Sequence, residues 1–344
     1  MGFINRDNRL PCSLTLGDSL EINNTMNIAS TIQHLYQQYG QISGITIECQ
    51  NELVAIGIKN KVATAEVFLQ GAQLTHYQRI TEKPILFLSE DCSYNAGSPL
   101  RGGIPICWPW FGDLAKNPHE IQQQLPEAEM THAPAHGFVR SRQWVVEAIS
   151  TPSDQLTIIE LKYDITVDEA LWPFATSLRY RIEIGDTLSA SFSVTNTGNQ
   201  AFVFTSSLHS YFSVSHIDHV SIQGFDKSPY FDALDTDAQG QWLVKQQQGN
   251  IHFSEAVDRV YHTTGTPIVL KDKSLNKSDR NISLRSAGSN STVVWNPWIE
   301  KSQQLTQFAL DDYQRMVCIE TANAVEDKIT LAPNASHTLS LLLE

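Results

Sequence analysis

Residues 177–198 read SLRYRIEIGDTLSASFSVTNTG. Apolar side chains at Leu178, Tyr180, Ile182 and Ile184, and again at Leu188, Ala190, Phe192 and Val194, alternate with polar ones. Successive side chains of a strand point to opposite faces, so a period of two describes a strand with one face in the core and one in water. Gly185-Asp186 lies between the two runs, and such a step between alternating segments marks a β-hairpin.

Outward from this hairpin the same period recurs. It runs through residues 45–78, ITIECQNELVAIGIKNKVATAEVFLQGAQLTHYQ, with turn residues at Gln50-Asn51 and Lys59-Asn60. It returns at ILFLSE (85–90), RQWVVEAI (142–149), LTIIELKYDI (156–165), VFTSSLHSYFSV (203–214), TVVWN (292–296), RMVCIETAN (315–323) and HTLSLLLE (337–344). Many short strands separated by Gly, Asn and Asp turns predict an all-β chain, a large antiparallel β-sandwich. Upstream the pattern is different. Residues 1–44 are polar and read as an N-terminal extension with one short helix over Ser30–Tyr39. Ser30 is the expected N-cap, Ile32, Leu35, Tyr36 and Tyr39 the apolar stripe, and Gly40 the stop. The tract Gln122–Gln124 reads as loop. No break in composition follows residue 45, so residues 45–344 are expected to form a single domain.

The chain of 344 residues has a formal net charge of −13. An acidic surface repels phosphate backbones, which argues against nucleic acid as a partner. A site for a phosphorylated small molecule would have to gather cations against that background. The five cysteines, Cys12, Cys49, Cys92, Cys107 and Cys318, are odd in number and contain no CxxC pair. A disulfide framework or structural zinc is therefore not expected, and reduced thiols suit the cytoplasm. The first residues lack a secretory pattern, and no stretch approaches the ~20 apolar residues of a membrane span. No GxGxxG and no ligand-spaced His/Cys cluster is present, so neither a nucleotide cofactor nor a metal is anticipated. The expected assembly is a monomer or weak homodimer.

Five stretches carry possible chemistry. In PLRGGIPICWPWFG (99–112), Arg101 adjoins two glycines that allow close backbone approach to a ligand. Its aromatics Trp108, Trp110 and Phe111 are either a sugar-stacking floor or a core plug. In AHGFVR (135–140), His136 and Arg140 are four residues apart and would share a face of an extended strand. His209 sits among apolar and aromatic residues in SSLHSYF (206–212), either as a buried structural histidine or as a proton donor. Asp258 in VDRVY (257–261) is either a partner for sugar hydroxyls or a turn residue paired with Arg259. Glu320 closes an apolar run in RMVCIETAN; burial would raise its pKa, and hydrogen bonds or cations would lower it again.

Taken in order along residues 45–344, RGGIPICWPWFG, AHGFVR, SLHSYF, VDRVY and VCIETAN resemble the aldose 1-epimerase (galactose mutarotase-like) superfamily, and within it the hexose-6-phosphate mutarotase branch. The resemblance implies a β-sandwich with a concave substrate face and no cofactor. It implies that His209 is the general acid and Glu320 the general base, that His136 and Asp258 hold the sugar, and that Arg101 and Arg140 meet the phosphate. The implied reaction is anomer interconversion of an aldohexose 6-phosphate, glucose 6-phosphate foremost. A carboxylate takes the C1 hydroxyl proton while an imidazolium protonates the ring oxygen, and the roles reverse on closure. The alternatives are an epimerase of neutral sugars such as galactose, a carbohydrate-binding sandwich without catalysis, and a glycoside-processing enzyme. The last usually relies on a pair of catalytic carboxylates.

Overall fold

A computed structural model describes residues 19–166, 169–262, 267–273 and 279–344. The 177–198 hairpin forms as the alternation predicts. Strands Thr176–Ile184 and Leu188–Asn196 pair antiparallel, with burial strictly alternating along both. They lie within an eight-stranded antiparallel sheet that runs, in spatial order, Val220–Gln223, Ile268–Asp272, Arg280–Ala287, Ser336–Leu343, Leu188–Asn196, Thr176–Ile184, Leu156–Ile165 and Val145–Ser153.

A second eight-stranded sheet runs Trp242–Gln246, Pro229–Thr236, Val257–His262, Ser291–Asn296, Met316–Asn323, Ser206–Leu208 and Ile106–Cys107, with Tyr211–Ser213 also paired to Met316–Asn323. Val294, Val317 and Ile319 of this sheet share one core with Leu339, Leu341, Phe192 and Ile182 of the first. The Thr321 hydroxyl meets that of Ser286 across the interface at 2.7 Å. The described chain is thus an antiparallel β-sandwich. A four-stranded meander over Ile45–Gln50, Leu53–Lys59, Ala63–Phe68 and Gln73–Arg79 joins the same core.

Several expectations are corrected. The helix starts at Ser19 rather than Ser30, and residues 19–29 contain no Pro or Gly to interrupt it. Ile28, Ile32, Leu35 and Tyr39 pack on the core, whereas Tyr36 is 49% exposed and off the stripe. ILFLSE is not a strand: Ile85, Phe87 and Ser89 donate in turn to the carbonyls of Tyr77, Tyr211 and Arg101. Its partners change too often for a ladder, and only isolated bridges result. Gln122 and Gln123 end a short helix, His119–Gln123, anchored by buried Ile121. The Gln124 amide clamps Val203, accepting from its N–H at 2.9 Å and donating to its carbonyl.

No disulfide joins two described residues; Cys12 and the opening stretch lie outside them. No described helix is long and apolar enough to cross a membrane.

Candidate active site

The site is built on one face of the second sheet. In Met316–Asn323 all eight residues are buried. Val317 and Ile319 enter the main core, while Met316 and Cys318 join a separate cluster on the opposite face. Period two puts Glu320 on that opposite face. Register does the rest. Asp258 is paired with Trp295 and Trp295 with Cys318; in the neighbouring row Val260 is paired with Val293 and Val293 with Glu320. Arg259 points the other way, over the Tyr230 ring and toward Gln247 and Tyr261, so it is no partner for Asp258.

His209 occupies the break between Ser206–Leu208 and Tyr211–Ser213, where its N–H donates to the Pro105 carbonyl at 3.0 Å. Its ring stacks on Tyr211 at 4.7 Å, with the Trp295 ring edge-on. Nε2 stands 3.4 Å from Glu320 Oε1, and the Ser207 hydroxyl donates to Glu320 Oε2 at 2.8 Å. His209 Nδ1 is buried with no hydrogen-bond partner.

Loops supply the remaining wall. The two glycines after Arg101 are needed by the fold: a side chain on Gly102 would collide with the Phe87 carbonyl and one on Gly103 with the Leu74 carbonyl. Trp108 and Trp110 are fully buried core residues, and of the three aromatics only Phe111 lines the cavity. AHGFVR is not an extended strand. His136 has φ 65° and Gly137 φ 70°, and Val139–Ser141 is a single 3-10 turn. Gly137 is needed there because a Cβ would strike the Trp108 carbonyl. His136 and Arg140 therefore converge through a tight turn, not through strand alternation. His136 Nδ1 accepts from the Gly112 N–H at 3.2 Å, which leaves Nε2 to carry the proton of a neutral ring. Arg140 Nη2 donates to the Ala135 carbonyl at 2.7 Å, and Arg101 Nε to that of Thr306 at 3.2 Å.

All six residues singled out in the sequence, Arg101, His136, Arg140, His209, Asp258 and Glu320, line one cavity of about 520 Å³. Lys116, Lys301, Trp242 and Trp295 line it as well. Sequence reasoning assigned no role to Ser207, Trp295 or Lys301. Ser207 and Trp295 lie in stretches whose strand pattern was visible. Lys301 sits on a short helix, Trp298–Ser302, that carries no motif.

The electrostatics are unusual for an acidic protein. Among the described residues Arg101, Arg140, Lys116 and Lys301 form no ion pair with a carboxylate. Burial, then the charges of Arg140 and Arg101, pushes His209 down to about 3. Burial, with Arg140, His209 and Arg101 adding to it, holds His136 well below the usual imidazole range. Glu320 is held well above the usual carboxylate range, chiefly by burial and also by Asp258, against the Ser207 hydrogen bond. Burial and Asp232 raise Asp258 to about 6, opposed by Lys301. The two shifts run in opposite directions and favour the carboxyl over the imidazole as holder of a proton shared between Glu320 and His209. That direction is the reverse of the ionised Glu320 and protonated His209 that the family resemblance implies.

The β-sandwich thus holds a buried imidazole–carboxyl pair in a cation-lined cavity. The chain belongs to the aldose 1-epimerase family, a family of isomerases, which its residues 54–344 match. It is 30% identical over 291 residues to a provisionally named glucose-6-phosphate 1-epimerase of Cenchrus ciliaris, covering 82% of this chain and 80% of the relative. It is 30% identical over 290 residues to a provisionally named glucose-6-phosphate 1-epimerase of Escherichia coli, covering 83% and 89%. The crystal structure of a provisionally named mutarotase from Salmonella typhimurium superposes with a TM-score of 0.74 at 27% identity, covering 88% of this chain and 94% of that one.

Proposed function

We propose that this protein interconverts the α and β anomers of an aldohexose 6-phosphate, glucose 6-phosphate foremost, by acid/base ring opening and reclosure. One observation carries the reading: two guanidiniums without a carboxylate partner among the described residues line the same cavity as the His209–Glu320 pair. Arginine forms paired, charge-assisted hydrogen bonds to phosphate oxygens, and two of them suit a dianion. A neutral sugar has no use for them. The names of the relatives from Cenchrus ciliaris and Escherichia coli point the same way.

In this reading Glu320 accepts the C1 hydroxyl proton and His209 Nε2 protonates the ring oxygen as the C1–O5 bond breaks. Their 3.4 Å separation lets both reach the two oxygens of one hemiacetal. The open aldehyde turns about C1–C2, and the reverse transfers close the ring on its other face. Asp258 and the Nε2–H of His136 hold hydroxyls, while Phe111 and Trp295 flank the ring. A phosphorylated sugar is too polar to leave through a bilayer, which suits a cytoplasmic site of action.

Exchange NMR on the anomers of glucose 6-phosphate and of galactose tests the proposal. Faster enzyme-dependent exchange with glucose 6-phosphate is expected. Galactose exchanging as fast or faster would replace it with the neutral-sugar reading.

A further inference from the structure

For ring opening a proton must sit on His209, yet the pair is buried and shares its cavity with two guanidiniums unpaired among the described residues, and both conditions disfavour an imidazolium there. Burial is the larger cause, and the groups facing the pair add to it. Arg101 and Cys107 approach from the 99–112 loop, His136 and Arg140 from the turn, Asp258 from its strand, Lys301 from the short helix, Tyr211 from the stacked position and Cys318 from the strand of Glu320 itself. Burial pushes Cys107, Cys318 and Tyr211 upward and His136 downward, so all four are neutral near pH 7. The charged groups that remain along the cavity are Arg101, Arg140, Lys116 and Lys301 against Asp113 and Asp258. The two guanidiniums disfavour a third positive charge on His209.

We propose that the substrate's own phosphate, by neutralising Arg101 and Arg140, moves the proton from Glu320 Oε1 to His209 Nε2, so that these arginines select phosphorylated sugars in the chemical step as well as in binding. The inference rests on the function proposed above. The transfer breaks the carboxyl O–H bond and forms an N–H bond across 3.4 Å, with no proton taken from solvent. A phosphate dianion cancels the charge of Arg140 and Arg101, both of which contribute to holding His209 down. Glucose without its phosphate meets the neutral pair and finds it unarmed. Removing one arginine should partly mimic the phosphate. Arg101→Ala is expected to weaken glucose 6-phosphate binding while raising kcat on free glucose, by roughly ten-fold for each pKa unit returned to His209.

The test uses the full chain with ¹⁵N-labelled histidines, the His209 signals being assigned from a His209→Asn spectrum. The ligands are 1,5-anhydroglucitol 6-phosphate and 1,5-anhydroglucitol, neither of which can react because both lack the anomeric hydroxyl. At pH 7 His209 should be neutral in the free protein and with saturating 1,5-anhydroglucitol, and an imidazolium with the 6-phosphate. Protonation by both ligands, or by neither when both bind, overturns the inference and leaves the proposed substrate class intact. If the neutral ligand binds and the phosphorylated one does not, the substrate class falls and the inference with it. The Arg101→Ala kinetics form an independent arm, and unchanged kcat on glucose counts against the proposal.

Discussion

The hairpin Thr176–Asn196 and the strand Met316–Asn323 lie in the two sheets of one sandwich and treat polar side chains in opposite ways. In the hairpin every second residue faces outward. Ser191, Ser193 and Thr195 meet Ser340, Thr338 and Ser336 in a row of hydroxyl pairs at 2.8–2.9 Å. Arg181 joins Glu160 and Glu183 at the surface. Such exposed contacts each contribute about 0–1 kcal/mol. In Met316–Asn323 no residue faces open water. Thr321 and Asn323 are fully paired within the protein, Thr321 to Ser286 and Asn323 to Gly288 and Asp327. Glu320 has a single hydroxyl donor and a histidine that burial keeps neutral. A buried carboxyl with so little support is a cost to stability. The sandwich carries that cost where Glu320 and His209 share a cavity.

The contrast breaks first at Glu320. Glu320→Gln should lower glucose 6-phosphate exchange by about 10²–10⁴-fold, the usual worth of a positioned proton acceptor. It should not destabilise the fold at alkaline pH. Because its pKa is raised on folding, the folded chain holds this proton where the unfolded chain has lost it. Wild-type stability therefore falls as pH rises above the unfolded value of about 4.3, and the variant escapes that loss. Thermal melts at pH 5 and pH 8 check the sign: the variant should gain relative to wild type at pH 8. A variant that melts earlier at pH 8 would make Glu320 a structural residue.

A smaller effect is expected at Ser207, whose hydroxyl is the one hydrogen bond lowering the pKa of Glu320. Ser207→Ala should reduce kcat about ten-fold, in line with the loss of a hydrogen bond to a charged group, and move the acid limb of the pH–rate profile upward. Ser207→Thr should restore both, which a purely structural role would not require. The smallest effect belongs to the hairpin: Ser193→Ala should cost less than about 1 kcal/mol in denaturant melts and leave exchange kinetics unchanged. A kinetic defect there would mean the two sheets are not as separate in function as their burial suggests.

Legibility followed the same divide. Long strands with one wet face announced themselves through alternation, as in 177–198, whereas Ile268–Asp272 and Arg280–Ala287, whose buried faces carry only two apolar residues each, went unread. Pro229–Thr236 and Trp242–Gln246 went unread because they are largely exposed and carry no sustained apolar stripe. Within the site, the order of short motifs named six residues, and all six line the cavity. The local geometry offered for His136 and Arg140 was wrong, because a turn with two positive φ values leaves no period to read. Lys301 was invisible for a related reason: it enters the cavity from the five-residue helix Trp298–Ser302, too short to show a period.

The amino-acid sequence alone determined the all-β sandwich, the hairpin and the family to which the chain belongs, because side-chain alternation and motif order are written along the chain. Only the tertiary structure decided that Asp258 and Arg259 face opposite ways, that Trp108 and Trp110 are core, and that burial pushes His209 and Glu320 in opposite directions. Strand register and burial set those outcomes, and a proton's position answers to charges such as Arg101 and Arg140 that lie far away in sequence and close in space.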